Sequence, residues 1–499
     1  RGRGKTGGTS PAQRLAWLAL LPLGLAPAMS MAAVNPQGGQ VTAGSGHISQ
    51  SGLTTTIDQR SQNLSLNWQS FDIGAQSTVN FVQPNARSIA VNRIGGNSGS
   101  VILGRLNANG QVFLINPNGV LFGQGAQVNV GGLVASTLNV SDSELAGGTR
   151  HFSGNGGGSI VNRGTINAAK GGYIALLGPQ VTNQGTLNAP GGTAALAGGT
   201  AVTLSFDGSR LLSLQVDKST LNALADNHQL IVADGGQVLM SAGAKDSLLA
   251  SVVNNSGTIQ ARTVENRSGK IVLLGGMAAG TTKVAGTLDA SAPAGGNGGF
   301  IETSAAHVSV ADGARITTRA ANGHTGAWLI DPNDFTVASS GGNMTGAAVS
   351  SALAGNNFEI TTASMGTAGG HGDIFVNDAV SWSGNTFTLN AERNIAINAP
   401  LKGSGTGKLA LKYGQGAVAA GNTANYRINA PVDLAAGNNF STMLGNDGTV
   451  VQYRVITSLG VAGSISGTDL QGINGHLVGN YVLGANIDAS ATVAWNDNG

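Results

Sequence analysis

The chain has 499 residues, of which 79 are glycine, 10% are charged, 4% are aromatic and 41% are apolar. Globular chains carry about a quarter charged residues and about half this share of glycine, so a core of large side chains is disfavoured; the apolar content equally excludes a charged, disordered chain. A net charge of +2, from 26 basic and 24 acidic residues without like-charge blocks, leaves no phosphate-neutralising footprint, so neither nucleic acid nor polybasic attachment to a membrane is expected.

In chain order, Arg1, Arg3, Lys5 and Arg14 come first, then an apolar run from Leu15 to Leu25, then small residues from Ala26 to Ala33. A basic region, a short apolar region and a small-residue zone make residues 1–33 a signal peptide read by the Sec machinery, and the run is too short for a comfortable membrane span. Ser30, Met31 and Ala32 suit cleavage before Ala33. The chain starts without Met and closes on Trp495-Asn-Asp-Asn-Gly499, so a longer precursor is expected. Cysteine is absent. That excludes disulfides, thiolate zinc sites and iron–sulfur clusters, and it suits a chain that crosses the periplasm unfolded.

Beyond residue 33 the sequence reads as short strands, apolar on alternate residues and bounded by Gly, Asn or Pro. Val112-Phe-Leu-Ile115 and Val120-Leu-Phe122 flank Asn116, Pro117, Asn118 and Gly119, where a fixed Pro φ and a permissive Gly predict a β-turn. One motif then recurs as Gly164-Thr-Ile-Asn-Ala168, Gly185-Thr-Leu-Asn-Ala189, Gly257-Thr-Ile-Gln-Ala261 and Gly286-Thr-Leu-Asp-Ala290, the first two copies being 21 residues apart. A second joins a glycine pair to a strand: Gly171-Gly-Tyr-Ile-Ala-Leu176, Gly191-Gly-Thr-Ala-Ala-Leu196, Gly235-Gly-Gln-Val-Leu-Met240 and Gly298-Gly-Phe-Ile-Glu-Thr303. Further on, Ile397-Asn-Ala-Pro-Leu401 returns as Ile428-Asn-Ala-Pro-Val432.

No long stretch reads as an amphipathic helix. Repeats of this length with two or three short strands each are coils of a β-solenoid. The predicted fold is all-β, a right-handed parallel β-helix, with on the order of 20 coils spaced ~4.8 Å apart and hence ~100 Å long. Asn162, Asn183, Asn254, Asn398 and Asn429 sit where corner amides would stack from coil to coil. The first coil needs a cap against edge pairing, and Val34 to Thr56 is the candidate.

Four stretches between Asn35 and Val140 carry a resemblance. They are Asn63-Leu-Ser-Leu-Asn-Trp-Gln-Ser-Phe-Asp-Ile-Gly74; Val79-Asn-Phe-Val-Gln-Pro-Asn85 with Ile89-Ala-Val-Asn-Arg-Ile94; Ile102 to Gly123, with Asn-Pro-Asn-Gly intact at Asn116–Gly119; and Gly132-Leu-Val-Ala-Ser-Thr137. The chain resembles the secretion domain of two-partner-secretion exoproteins, the filamentous-haemagglutinin-like and high-molecular-weight-adhesin-like family. The family's Asn-Pro-Asn-Leu motif stands here as Gln83, Pro84, Asn85 and Ala86. Trp328-Leu-Ile-Asp-Pro-Asn-Asp-Phe335 is similar to a segment of large adhesins of this kind, and Asn474-Gly-His-Leu-Val-Gly-Asn480 is similar to a GLUG-type adhesin repeat.

The resemblance implies a Gram-negative cell-surface or secreted adhesin, exported through Sec and the periplasm. Its N-terminal domain would be recognised by the periplasmic domains of a partner outer-membrane β-barrel transporter, and a host glycan or protein would be its receptor. It implies a secretion domain with its cap over residues 34–270, continuing repeats over 271–340, and a further repeat region, the start of an adhesin stalk, over 341–499. Asn116–Gly119 and Gln83–Asn85 become candidates for transporter recognition or for shaping a coil corner, and the residues alone leave both open.

No catalytic, metal or cofactor constellation appears. His47, His151, His228, His307, His324, His371 and His476 show no zinc spacing, no nucleophile elbow occurs, and Asp331 and Asp334 read as turn residues around Pro332 rather than a glycosidase pair. The expectation is a non-enzyme. The alternatives are the stalk of a contact-dependent growth-inhibition toxin and a β-helical polysaccharide-degrading enzyme, the latter resting on fold analogy alone.

Overall fold

Short strands satisfy their backbone groups by pairing with neighbours, and here most pair in parallel with their equivalent one coil later. The computed structural model describes residues 34–244, 247–363 and 370–495. The signal segment and its cleavage zone, Ser30, Met31, Ala32 and Ala33, lie outside the described residues. The fold is a parallel β-helix, right-handed as parallel crossovers are.

One face runs the length of the stack, from Asn63–Trp68 through Ile89–Ile94, Gln111–Ile115 and Gln127–Ser136 to Gly437–Leu444. It holds fourteen strands among the described residues, so its thirteen spacings span about 60 Å. The expectation of on the order of 20 coils was too high, because the coils are longer than the 21-residue repeat suggests. From Tyr173 to its partner Thr193 the step is 20 residues, but from Thr193 to Gln237 it is 44.

Two shorter faces complete each coil. One begins at Thr54–Gln59 and ends at Arg315–Thr317; the other stacks eight strands from Ser100–Ile102 to His307–Val310. Inside, like stacks on like. Ile166, Leu187, Ile231, Ile259 and Leu288 form one column, all fully buried, each worth about 1.5–3 kcal/mol relative to exposure.

The glycine pairs have two separate jobs. In three of the four pairs the first glycine turns the corner with positive φ, at Gly171 (+79°), Gly191 (+64°) and Gly235 (+71°). The second admits the neighbouring coil: a Cβ on Gly192 would stand 1.9 Å from the carbonyl oxygen of Gly172, and one on Gly236 2.0 Å from that of Gly192. The Gly-Thr motif serves the same end at another corner, where a Cβ on Gly286 would lie 1.9 Å from the carbonyl oxygen of Gly257.

Asparagine amides stack as the composition suggests, with one correction. Asn162 donates to Asn183, Asn183 to Asn227 and Asn227 to Asn255, at 2.7–2.8 Å and fully buried. Asn255, not Asn254, is the rung; Asn254 points out of the ladder and donates to Asp226. Alternation along the strand Ser251–Asn255 puts consecutive residues on opposite sides. Asn398 and Asn429 do stack, joined by Asn377, and Asn107, Asn129, Asn167 and Asn188 form a further ladder with Asn80.

At the N-terminal end the pairing changes direction. Gln40–Ala43 lies antiparallel on Asn63–Trp68, and Gly46–Ser51 lies antiparallel on Thr54–Gln59. Both leading edges are thereby covered. The cap ends at the turn after Ser51, since Thr54–Gln59 already pairs in parallel with Thr78–Val82.

Two elements escaped the sequence reading. A three-stranded antiparallel sheet, Thr149–Ser153, Ala201–Asp207 and Arg210–Lys218, lies over the outer side of the long face. It covers Val91, Phe113, Val134, Tyr173, Ala175 and Ala195, which is why strands such as Gln111–Ile115 are buried on both sides. Its hairpin also accounts for the 44-residue step.

The second is the helix Gly346–Gly355, capped by Thr345 Oγ1 accepting from the Ala348 amide. Around it the two shorter faces are exchanged for new ones, headed by Phe335–Val337 and Val380–Trp382, while the long face continues.

Replacing Asn183 by Ala removes the 2.8 Å acceptor of the Asn162 amide and leaves Asn227 Oδ1 without a donor in a dry column. Denaturant unfolding should show a loss of about 2–3 kcal/mol, larger than for Asn255→Ala at the ladder's end. Equal losses would show that the column is not cooperative.

Candidate functional site

Asn116 is fully buried at the corner between Gln111–Ile115 and Val120–Phe122. Its amide donates to the Ser98 carbonyl and to Ser100 Oγ, both at 3.0 Å, and its Oδ1 accepts from the Asn118 amide. The Gly119 amide closes the predicted β-turn on the Asn116 carbonyl at 2.9 Å. Gly119 sits at φ +104°, where a Cβ would meet the Ser159 carbonyl oxygen at 2.7 Å. Pro117 and Asn118 are exposed at the tip, with Asn118 tied to the Gly96 carbonyl. The motif therefore divides into two buried residues that build the corner and two exposed residues that a partner can reach.

The second motif divides the same way. Gln83 is buried and joins three coils: its amide donates to Gln59 Oε1 and to the carbonyls of Ser88 and Gln111, and its Oε1 accepts from the Gly110 amide. Pro84 and Asn85 are exposed; the Asn85 carbonyl accepts from the Ser88 amide, and its side chain donates to Gln62. A leucine in place of Ala86 would point from an exposed position.

The structure does not bring the two turns together. One precedes Ile89–Ile94 and the other follows Gln111–Ile115, its neighbour on the long face, so they sit at opposite ends of one strand pair, ~17 Å apart along the strand.

Between them lies the outer sheet. Arg150 is buried with its guanidinium 4.1 Å above the Phe206 ring and 5.6 Å from Phe113, donating to the Leu145 carbonyl. Beneath it Tyr173 donates to Gln111 Oε1 at 2.6 Å, and burial raises its hydroxyl pKa. The entry to this sheet is pinned at Glu144, which accepts from Ser141 Oγ and meets His151 Nδ1, both at 2.6 Å. Those two bonds, Ser141 first, lower its carboxyl from 4.5 to about 2. Phe113 and Tyr173, large aromatic residues on the outward side of the long face, were the available signal for this layer.

Of the carboxylates weighed for catalysis, Asp334 spends its Oδ1 on the amides of His371 and Asp373. Two histidines prove to be paired with acids, His151 with Glu144 and His228 with Asp226. Among the described residues no group of three His, Asp or Glu side chains is placed to hold a metal.

Residues 32–289 match the family model of the TPS secretion domain. The chain is 35% identical over 253 residues to the heme/hemopexin-binding protein of Haemophilus influenzae strain Rd, covering 48% of this chain and 27% of that one. A second Haemophilus influenzae heme/hemopexin-binding protein is 33% identical over 240 residues, covering 44% and 26%. The chain thus spans about a quarter of the length of these relatives. The crystal structure of the HMW1 secretion domain from Haemophilus influenzae shares the fold, with a TM-score of 0.53 and 23% identity over 82% of this chain and all of that one.

Asn116→Ala removes a buried hub and should lower stability by about 1–3 kcal/mol, read as a fall in melting temperature of the purified chain; an unchanged melting temperature would leave the corner-building role without support. Acid provides a second check. A carboxyl depressed in the folded state contributes stability above its ordinary pKa that is lost as pH falls through the folded value. The Glu144 contribution is therefore whole above pH 4.5 and lost toward pH 2. Hydrogen-exchange protection factors in Thr149–Ser153, taken relative to the intrinsic rate at each pH, should fall over that window, and Ser141→Ala should flatten the response.

Proposed function

The chain belongs to the TPS secretion-domain family, that of two-partner-secretion exoproteins, which Gram-negative bacteria secrete across the outer membrane, and we propose that its capped first coils are the export address of a surface adhesin. On this reading the Sec-borne chain reaches the periplasm extended, and the periplasmic domains of a partner outer-membrane β-barrel transporter recognise the N-terminal domain. The remaining coils then build a stalk outside the cell that meets a host glycan or protein. The observation that carries it is the split within both motifs: Asn116 and Gln83 are buried in the corners, while Pro117, Asn118, Pro84 and Asn85 are presented at the surface.

The stack gives export a physical direction. Each emerging coil completes the hydrogen bonds of the one before it, so stability accrues coil by coil. Folding outside the cell then opposes backsliding without a nucleotide-driven motor. The protein is read as non-catalytic: Asp334 is engaged by the amides of His371 and Asp373, and the Asp373 carboxylate is paired with Arg393.

A second reading follows from the relatives. Their names assign heme/hemopexin binding to proteins of which this chain covers about a quarter, so capture of heme or hemopexin is the competing role for the surface-displayed part. Retention of the purified chain on hemopexin–heme resin, with no attachment to host cells, would favour it over adhesion.

For the export role, Pro117→Ala/Asn118→Ala and Pro84→Ala/Asn85→Ala are compared with the parent in cells producing the partner transporter. Secretion should fall severalfold in at least one pair while the melting temperature holds. Secretion at the parent level from both would remove the exposed tips from recognition and leave the turns as corner-builders only.

A further inference from the structure

The outer hairpin does more than cover the long face. Its strand Arg210–Lys218 walls one side of an open groove of about 430 Å³ whose floor is the glycine staircase Gly171, Gly191–Gly192 and Gly235–Gly236. Thr193 Oγ1 donates to the Leu211 carbonyl at 2.6 Å and Gln237 Nε2 to the Leu212 carbonyl at 2.8 Å, which fixes the wall to the floor. From the coil of Tyr173 to that of Lys270 the groove crosses three coil spacings, about 14 Å.

Cations surround it. Arg210, Arg267 and Lys270 line the groove, and Lys170 borders it where its Cγ and the Arg267 guanidinium approach Gly191. All four are exposed. Seven ion pairs form among the described residues, and none includes any of the four. The acids close by in the chain form no ion pair with them: Asp207 stands across the hairpin from Arg210 and Glu265 in the turn before Arg267, neither in an ion pair, and Asp234 is taken by Arg262. In a chain only 10% charged, four unpaired cations on a side-chain-free floor make a locally positive slot.

We propose that this slot binds a linear anionic glycan. Arginine forks match carboxylate and sulfate groups; backbone, Thr193 and Gln237 offer partners for hydroxyls, and Leu212, half exposed, offers an apolar wall to a sugar ring. Other polyanions fit less well. No aromatic side chain lines the groove to stack a nucleobase, and a glycine floor holds no pocket for the aromatic anchors of a protein interface. The purpose of the site rests on the adhesive reading; its chemistry does not.

The purified chain is titrated with dextran sulfate, polygalacturonate, neutral dextran and a single-stranded DNA oligonucleotide. The expected result is salt-sensitive binding of dextran sulfate or polygalacturonate, which identifies the anion as sulfate or carboxylate, with none of neutral dextran and weaker binding of DNA. Arg267→Gln/Lys270→Gln should weaken it about tenfold, equivalent to about 1.4 kcal/mol, with unchanged melting. Lys402→Gln/Lys408→Gln, equal in charge but far along the chain, should leave it unaltered. If the double variant melts lower, Arg210→Gln on the hairpin replaces it.

The site is overturned if neither anionic polymer binds, if the distant lysine pair matters as much, or if DNA binds as tightly as the glycans. A chain that holds dextran sulfate yet attaches to no host cell would instead sink the adhesive reading and leave the site standing.

Discussion

Parallel, in-register pairing between successive coils is the constraint on which the other features of this molecule depend. A coil has too few large side chains to bury a core alone, so its strands gain order only from the coil beneath. In-register pairing brings backbones within the distance at which a Cβ on Gly192 or Gly286 would strike the carbonyl of the previous turn. The abundance of glycine is thus a packing requirement before it is a matter of flexibility. The same register places Asn162, Asn183, Asn227 and Asn255 one above another, which converts buried amides from a liability of about 1–3 kcal/mol each into mutual partners.

A stack held in this way is uniform along its axis, and it ceases to be uniform at two places. The outer sheet sits on the early coils, joined by an arginine sandwiched between two aromatic rings. It thickens the part of the chain that matches the secretion domain and creates the only wall that the cationic groove needs. The exchange of the two shorter faces near the helix Gly346–Gly355 marks another break, while the long face passes through it unbroken.

Much of this was legible in the residues, for identifiable reasons. The turn at Asn116–Gly119 combines Pro and Gly at positions that admit few geometries, and the strand-and-glycine motifs repeat a local requirement at every coil. What stayed hidden depends on tertiary context. Whether Asn254 or Asn255 faces the ladder turns on a one-residue register choice that the doublet Asn254-Asn255 leaves open. The hairpin Ala201–Lys218 has strand patterning like its neighbours, so nothing local says that it leaves the stack. The helix consists of Gly, Ala and Ser with Val349 and Leu353, too little contrast between its faces to announce a period. Pro84 and Asn118 are exposed, so folding restricts their identity far less than that of the buried Gln83 and Asn116, and the proposed contact with a partner leaves no mark in the packing.

The antiparallel strands at the N-terminal end carry a consequence for assembly. Parallel stacking is polar, so one end of a coil array presents the edge that another array's opposite end could continue. Gln40–Ala43 and Gly46–Ser51 occupy that edge with strands running the wrong way. A second copy approaching head to tail finds no complementary ladder, and the heterologous contact that would propagate a fibre has nowhere to start. End-to-end growth is therefore blocked at this edge, and each coil array stays separate from the next.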